Sequence, residues 1–201
     1  MSTLIELHAQ IKQCRQCELR KTCKQVVPGV GPENARIMLI GEGPGANEDI
    51  KGEPFVGQAG QFLNQLLALA GLRRQDVYIT NVVKCRPPNN RDPFPLELET
   101  CKPWLDSQLE LIKPQIVVTL GRFSMARWFP GASISKIHGQ PRKFGSLLVV
   151  PMFHPAAALH QPKYKELIEA DFGQLPRILA ELDKVEQASK PKEDPKQLSM
   201  F

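Results

Sequence analysis

The chain has 201 residues, 42% of them hydrophobic, which suffices for one globular domain with a substantial core. Lysine and arginine outnumber aspartate and glutamate by 26 to 21, and this basic balance favours an anionic partner such as nucleic acid. No apolar run reaches the roughly 18 residues of a membrane span, and the N-terminus lacks a basic and then apolar leader. We therefore expect a cytoplasmic, monomeric protein without membrane contact.

Four short, continuous apolar runs predict strands that are covered on both faces. They are residues 37–40, 77–83, 116–120 and 147–152. Apolar spacing predicts helices around them at residues 3–13, 59–70, 95–112, 123–128 and 164–185, the last interrupted at Pro176. Alternating strands and helices indicate an α/β domain with a central, mostly parallel, four-stranded sheet over residues 1–185. Residues 186–201 are polar and charged, which predicts a disordered tail.

Chemically distinctive segments directly follow three of the predicted strands. Gly41-Glu42-Gly43-Pro44-Gly45 follows the first strand, residues 84–93 follow the second, and Phe153-His154-Pro155 follows the fourth. Ligands of parallel sheets bind beyond the carboxyl ends of the strands, so these segments predict one shared site. The glycine loop lacks the lysine and serine of a P-loop and does not match G-x-G-x-x-G. A nucleotide-binding enzyme is therefore the weaker interpretation.

The five cysteines indicate a metal centre rather than disulfides, because we expect a reducing compartment. Cys14 and Cys17 form a C-x2-C pair, and Cys85 and Cys101 could complete a shell of four thiolates. Cys23 is a fifth candidate. The spacing alone does not separate zinc from a [4Fe–4S] cluster, and buried cysteines without a metal are the remaining alternative.

The longer motifs resemble those of the family 4 uracil-DNA glycosylases. The matching segments are residues 41–49, 52–60, 80–88 and 153–157, and the cysteine spacing resembles that family's [4Fe–4S] ligands. The resemblance implies a three-layer α/β/α fold and hydrolytic removal of uracil from DNA, leaving an abasic site for base excision repair. It also implies a nucleoid-associated bacterial or archaeal enzyme with a [4Fe–4S] cluster on Cys14, Cys17, Cys85 and Cys101, zinc being the alternative.

The residue types suit that chemistry, since uracil must leave the base stack before its bond is broken. Phe55 is an aromatic platform for the flipped base, and the Asn81 amide can both donate to and accept from the uracil edge. His154 can donate to the uracil oxygen that gains negative charge. By resemblance, Glu42 and the Gly43 backbone position water, and Glu48 lies near uracil C5. The alternative for each side chain is a purely structural role.

Further residues are predicted to contact DNA or a partner protein. Arg86 and Arg91 are candidates for phosphate contact, and Leu159 is a candidate wedge for the gap left by the base. Residues 197–201, Gln-Leu-Ser-Met-Phe, resemble the peptides that bind bacterial sliding clamps, which implies a clamp as a possible partner. The alternative to an enzyme is a catalytically inert iron–sulfur or zinc protein of this fold that only binds nucleic acid.

Overall fold

The computed structural model describes the main chain of residues 3–189 and the side chains of residues 3–184. The strands are β1 (Ile37–Gly41), β2 (Tyr78–Asn81), β3 (Ile116–Leu120), β4 (Arg142–Phe144) and β5 (Leu147–Met152). The helices are α1 (Leu4–Gln13), α2 (Leu19–Thr22), α3 (Ala46–Lys51), α4 (Gln58–Leu69), α5 (Pro95–Ile112), α6 (Arg122–Met125), α7 (Ile134–Ile137), α8 (Ala156–His160), α9 (Lys163–Gly173) and α10 (Leu175–Ser189).

The strands form one sheet in the order β2-β1-β3-β5-β4. All neighbouring pairs are parallel except β4 and β5, which are antiparallel. The mostly parallel α/β sheet is therefore confirmed, but the predicted count of four strands is wrong, because the sheet has five. The missed strand, β4, is only three residues long, Arg-Lys-Phe, and all three side chains are exposed. It therefore carries none of the apolar pattern on which strand prediction depends.

Alternating side chains of the central strands build two cores, one on each face of the sheet. Met38 and Ile40 of β1 pack toward α1 and α5, whereas Ile37 and Leu39 pack toward α4 and α9. Each fully buried side chain of this size stabilises the fold by about 2 kcal/mol. Helices thus cover both faces, and the three-layer α/β/α arrangement is confirmed.

Most of the predicted helices are present, with small changes at their ends. The helix at residues 95–112 has the predicted bounds, and Pro95 occupies its first turn. The last predicted helix is divided into α9 and α10, with Pro176 at the start of the second. Helix α10 continues to Ser189, past the predicted boundary at Val185, and the rest of the predicted tail lies outside the described residues. In the described part of the chain, no helix is long and apolar enough to cross a membrane.

Candidate active site

A pocket of about 390 Å³ opens at the carboxyl ends of β1, β2 and β5. Its lining includes six residues that were predicted for the site, namely Glu42, Gly43, Glu48, Phe55, Asn81 and His154. The fold therefore brings together side chains that lie more than 100 positions apart in the sequence. Pro44, Gly45, Ala59, Pro87, Asn90, Arg91, Ala156 and His160 complete the lining.

Phe55 is held in a strained backbone conformation by its neighbours. Its φ is +51°, in the left-handed region that residues other than glycine rarely adopt. One carboxylate oxygen of Glu48 accepts hydrogen bonds from the backbone N–H groups of Val56 and Gly57, each at 2.8 Å. Phe55 is 6% exposed, and its ring stacks on the His154 ring with a centroid distance of 5.4 Å. Glu48 therefore fixes the loop that presents the aromatic ring, a function the sequence did not indicate.

Asn81, the last residue of β2, lies beside the end of β1. A Cβ atom at Gly41 would come within 2.4 Å of Asn81 Oδ1 and 2.7 Å of the Phe55 ring, so only glycine allows both side chains to approach. Asn81 is 2% exposed, and its Oδ1 atom has no hydrogen-bond partner among the described residues. A buried acceptor without a partner costs about 1–3 kcal/mol, which a ligand N–H group would recover.

The His154 ring is arranged to donate a hydrogen bond from Nε2. The backbone N–H of Ala156 donates to His154 Nδ1 at 3.2 Å, so Nδ1 acts as the acceptor and the proton of a neutral imidazole lies on Nε2. Burial lowers the pKa of His154 to about 4, although the charge of nearby Glu48 opposes this shift. The imidazole is therefore neutral near pH 7 and still able to donate.

Glu42 lies half-buried at the pocket wall and faces an ion pair. Burial raises the pKa of the Glu42 carboxyl, the negative charge of Asp92 raises it further, and the positive charge of Arg122 lowers it. Asp92 and Arg122 form a salt bridge with each other. Sequence reasoning missed both residues as determinants of the site, although Arg122 lies just beyond the end of β3, where a ligand site is expected.

The three residues predicted to contact DNA have different environments. Arg91 lines the pocket, but its guanidinium forms two hydrogen bonds with the Glu97 carboxylate, at 2.9 and 2.7 Å. Arg86 Nε donates to Asn90 Oδ1 at 2.8 Å and is outside the pocket lining. Leu159 is 47% exposed on α8, adjacent in sequence to the pocket residue His160.

The four predicted cysteine ligands line a second, smaller cavity, together with Leu19, Arg20, Val26, Lys84 and Trp104. Trp104 Nε1–H donates to Cys14 Sγ, and the Lys84 backbone N–H donates to Cys101 Sγ, both at 3.3 Å. Cys23 is outside this lining, and its thiol contacts Cys85 instead. Within residues 3–189, no three His, Cys, Asp or Glu side chains are grouped tightly enough to hold one metal ion.

Comparison with known proteins identifies the class to which this fold and pocket belong. The family model "Uracil DNA glycosylase superfamily" matches residues 28–173. A type-4 uracil-DNA glycosylase of Archaeoglobus fulgidus is 47% identical over 184 residues, which cover 87% of this chain and 92% of the relative. The chain therefore belongs to the uracil-DNA glycosylase superfamily and, within it, to the type-4 uracil-DNA glycosylases.

Two further relatives agree with the superfamily assignment, and the more similar of the two is also of type 4. A type-4 uracil-DNA glycosylase of Thermotoga maritima is 46% identical over 75% of this chain and 80% of its own length. A type-5 uracil-DNA glycosylase of Pyrobaculum aerophilum is 33% identical over 76% of this chain and 75% of its own length. The type-4 resemblance inferred from the motifs is confirmed.

Proposed function

We propose that this protein is a uracil-DNA glycosylase that hydrolyses the N-glycosidic bond of a flipped uracil and leaves an abasic site for base excision repair. The observation that carries the proposal is the unpartnered, buried Oδ1 of Asn81, which lies beside an aromatic ring and a neutral histidine. Uracil offers an N3–H group that satisfies this acceptor, and its flat ring suits Phe55. Family membership independently supports the same activity.

In the proposed mechanism, Asn81 Oδ1 accepts from uracil N3–H and the Asn81 amide donates to uracil O4. The electron pair of the C1′–N1 bond moves to the uracil ring as the bond breaks, and negative charge accumulates on O2. The Nε2–H group of His154 donates to this oxygen and stabilises the developing charge. A neutral donor suffices for this role, which is consistent with the lowered pKa of the imidazole.

Glu42 and the Gly43 backbone hold the water whose oxygen bonds to C1′, and Glu42 receives the proton that this water loses. Glu48 has a separate role, because its hydrogen bonds to Val56 and Gly57 keep the Phe55 loop in place. We propose that Glu48 also faces C5 of the bound base, where the methyl group of thymine would collide with it. Glu42 thus takes part in the hydrolysis itself, whereas Glu48 determines the shape of the pocket.

The direct test is incubation with an oligonucleotide that contains one uracil, followed by alkali, which cleaves abasic sites. We expect strand cleavage only after the alkali step, and no cleavage of the matched oligonucleotide with thymine in place of uracil. Release of free uracil is measured in parallel. Failure to release uracil under any salt condition would overturn the proposal.

The ion pair near Glu42 predicts opposite shifts of the pH dependence of the reaction. Glu42 acts as a carboxylate, so activity falls as the pH drops through its pKa. Asp92→Asn removes the negative charge that raises this pKa. We therefore expect the fall of kcat on acidification to occur at lower pH. Arg122→Gln removes the positive charge that lowers the pKa of Glu42, and we expect the fall of kcat to occur at higher pH.

Both pH profiles are measured under single-turnover conditions from pH 4.5 to 8, with wild-type protein as reference. Shifts of the same sign in the two variants would contradict this assignment, because a general loss of structure does not discriminate between the two charges.

We propose that Cys14, Cys17, Cys85 and Cys101 hold a [4Fe–4S] cluster, in which each thiolate binds a different iron atom, so the four sulfur atoms need not converge on a single ion as the ligands of one metal ion must. The observations that support this are the shared cavity, its apolar residues and the two N–H···S hydrogen bonds, a contact that tunes the sulfur ligands of iron–sulfur centres. A cluster bound to Cys85 would hold its neighbours Lys84 and Arg86 in place. It would thereby fix the position of Arg86 relative to the pocket.

The fifth cysteine provides a matched control for this assignment. We expect Cys101→Ser to lose bound iron and the broad absorption at about 400 nm, whereas Cys23→Ser is expected to retain both. Metal analysis of the purified protein is the measurement. A colourless wild-type protein with one zinc per chain would replace the cluster with zinc on the same residues.

We also propose that Arg86 and Arg91 contact DNA phosphates, that Leu159 fills the gap left by the flipped base, and that residues 197–201 bind a sliding clamp. The exposure of Leu159 and the position of Arg91 at the pocket support the first two roles. The clamp peptide lies outside the described residues. A pull-down in which deletion of residues 197–201 leaves clamp binding unchanged would exclude it.

A further inference from the structure

A lysine is buried directly behind the residue proposed to recognise uracil. Lys84 is 2% exposed, and its Nζ atom lies 2.7 Å from each of three oxygen atoms: Thr80 Oγ1, the Asn81 main-chain oxygen and Gln108 Oε1. The proposed chemistry does not use this side chain. Burying a lysine is costly unless its hydrogen-bonding groups are satisfied, so its surroundings are informative.

All three oxygens act as acceptors toward the lysine. The Thr80 hydroxyl donates to the Pro28 carbonyl at 2.7 Å, which leaves its oxygen free to accept. The Gln108 amide nitrogen donates to Pro28 O and to Tyr78 Oη, both at 2.8 Å, so its oxygen is directed at Lys84. An ammonium group has three donors, and this site offers three acceptors.

The hydrogen bond from Lys84 to the Asn81 main chain links the lysine to the orientation of the Asn81 side-chain amide. β2 lies at the edge of the sheet, with β1 on one side, where Gly41 is opposite Asn81. The Asn81 carbonyl is directed at Lys84 Nζ, while the side chain of the same residue extends into the pocket. Gln108 belongs to the long helix α5, so its hydrogen bond with Lys84 connects the end of β2 to this helix across the core.

We infer that Lys84 is a positioning residue for uracil recognition, which holds the main chain of Asn81 so that its amide meets the base edge. This inference rests on the proposed function. It requires the hydrogen bonds of Lys84 and no proton transfer. Misplacement of a recognition group by about 1 Å can lower a rate about 100-fold, so bracing of this residue has a measurable consequence.

The test is a double-mutant cycle with Asn81→Ala, measured as single-turnover uracil release. We expect Lys84→Met to lower kcat/KM by roughly 10- to 100-fold in the wild-type background, and by less than about 3-fold when Asn81 is already alanine. Leu67→Ala, a buried substitution on the opposite face of the sheet, is the control for general destabilisation. Its effect is expected to be the same in both backgrounds.

A lysine effect of equal size in both backgrounds would overturn the inference, since it would mean that Lys84 supports only the fold. Loss of bound iron in Lys84→Met would also overturn it, because the lysine would then serve the neighbouring cysteine cavity. If Lys84→Met does not fold, Gln108→Leu removes one acceptor of the lysine and tests the same interaction from α5. We expect it to lower kcat/KM by less than Lys84→Met does, and only in the background that retains Asn81. Wild-type protein that releases no uracil would instead refute the proposed function.

Discussion

Replacing His154 with alanine is expected to lower kcat for uracil release by about 100- to 1000-fold, with little change in KM. The variant loses the Nε2–H donor that meets uracil O2 only as negative charge develops there. Ground-state binding depends mainly on Phe55 and Asn81, which remain. Single-turnover kinetics with saturating enzyme measure the chemical step directly.

The neutral state of the imidazole makes this prediction more specific. Because the pKa of His154 is lowered to about 4, the donor is present throughout the range from pH 5 to 9, and His154 contributes no inflection near pH 6.5. His138→Ala is the matched control, since His138 is outside the pocket lining and pairs with Asp171 of α9. It is expected to leave kcat within about threefold. A His154→Ala enzyme with nearly normal kcat would remove His154 from the mechanism.

Gly60→Ala is expected to disrupt both the pocket and the stability of the fold. A Cβ atom at this position would lie 1.9 Å from the Phe55 carbonyl oxygen and 2.1 Å from its carbonyl carbon. Backbone atoms cannot rotate away as a side chain can, so the Phe55 loop must move. We expect a loss of about 1–3 kcal/mol in the free energy of unfolding and at least a 100-fold loss of kcat/KM.

Gly173→Ala provides the comparison, because its added methyl group would have no neighbour within 4 Å. Gly173 ends α9, where alanine favours the helix by up to about 1 kcal/mol. Denaturant unfolding and uracil release are measured for both variants. Equal stability and activity of the two alanine variants would mean that the Phe55 loop tolerates displacement, contrary to this account.

Much of the fold was predictable because the four parallel strands are covered on both faces, and burial requires continuous apolar runs. The placement of Glu42 and His154 in one pocket followed from a general rule about strand ends, whereas Phe55 and Asn81 were assigned from their side-chain chemistry and from the resemblance of their segments to a known family. β4 could not be predicted in this way, because an exposed strand is specified by its partner β5 and not by an apolar pattern of its own.

The finer properties of the pocket depend on contacts between distant segments, and no local pattern records them. The Asp92–Arg122 pair shifts the pKa of Glu42 from two distant segments, the loop before α5 and the first residue of α6. Glu48 holds the Phe55 loop through main-chain N–H groups, which any sequence would provide. Recognisable motifs thus predicted residues that line the pocket, whereas only the packed structure indicates what shifts the pKa of Glu42 and what holds the Phe55 loop in place.

The charged strand at one edge of the sheet has a consequence for solubility. An edge strand presents unpaired main-chain groups on which another molecule can add a strand, and lysine or arginine on that edge opposes such association. β4 is short and covers the edge of β5, whose residues are almost entirely apolar. The first two residues of β4, Arg142 and Lys143, are exposed cations. Neutralising both residues is therefore a change that favours strand-to-strand aggregation of the folded enzyme, at a site remote from the chemistry.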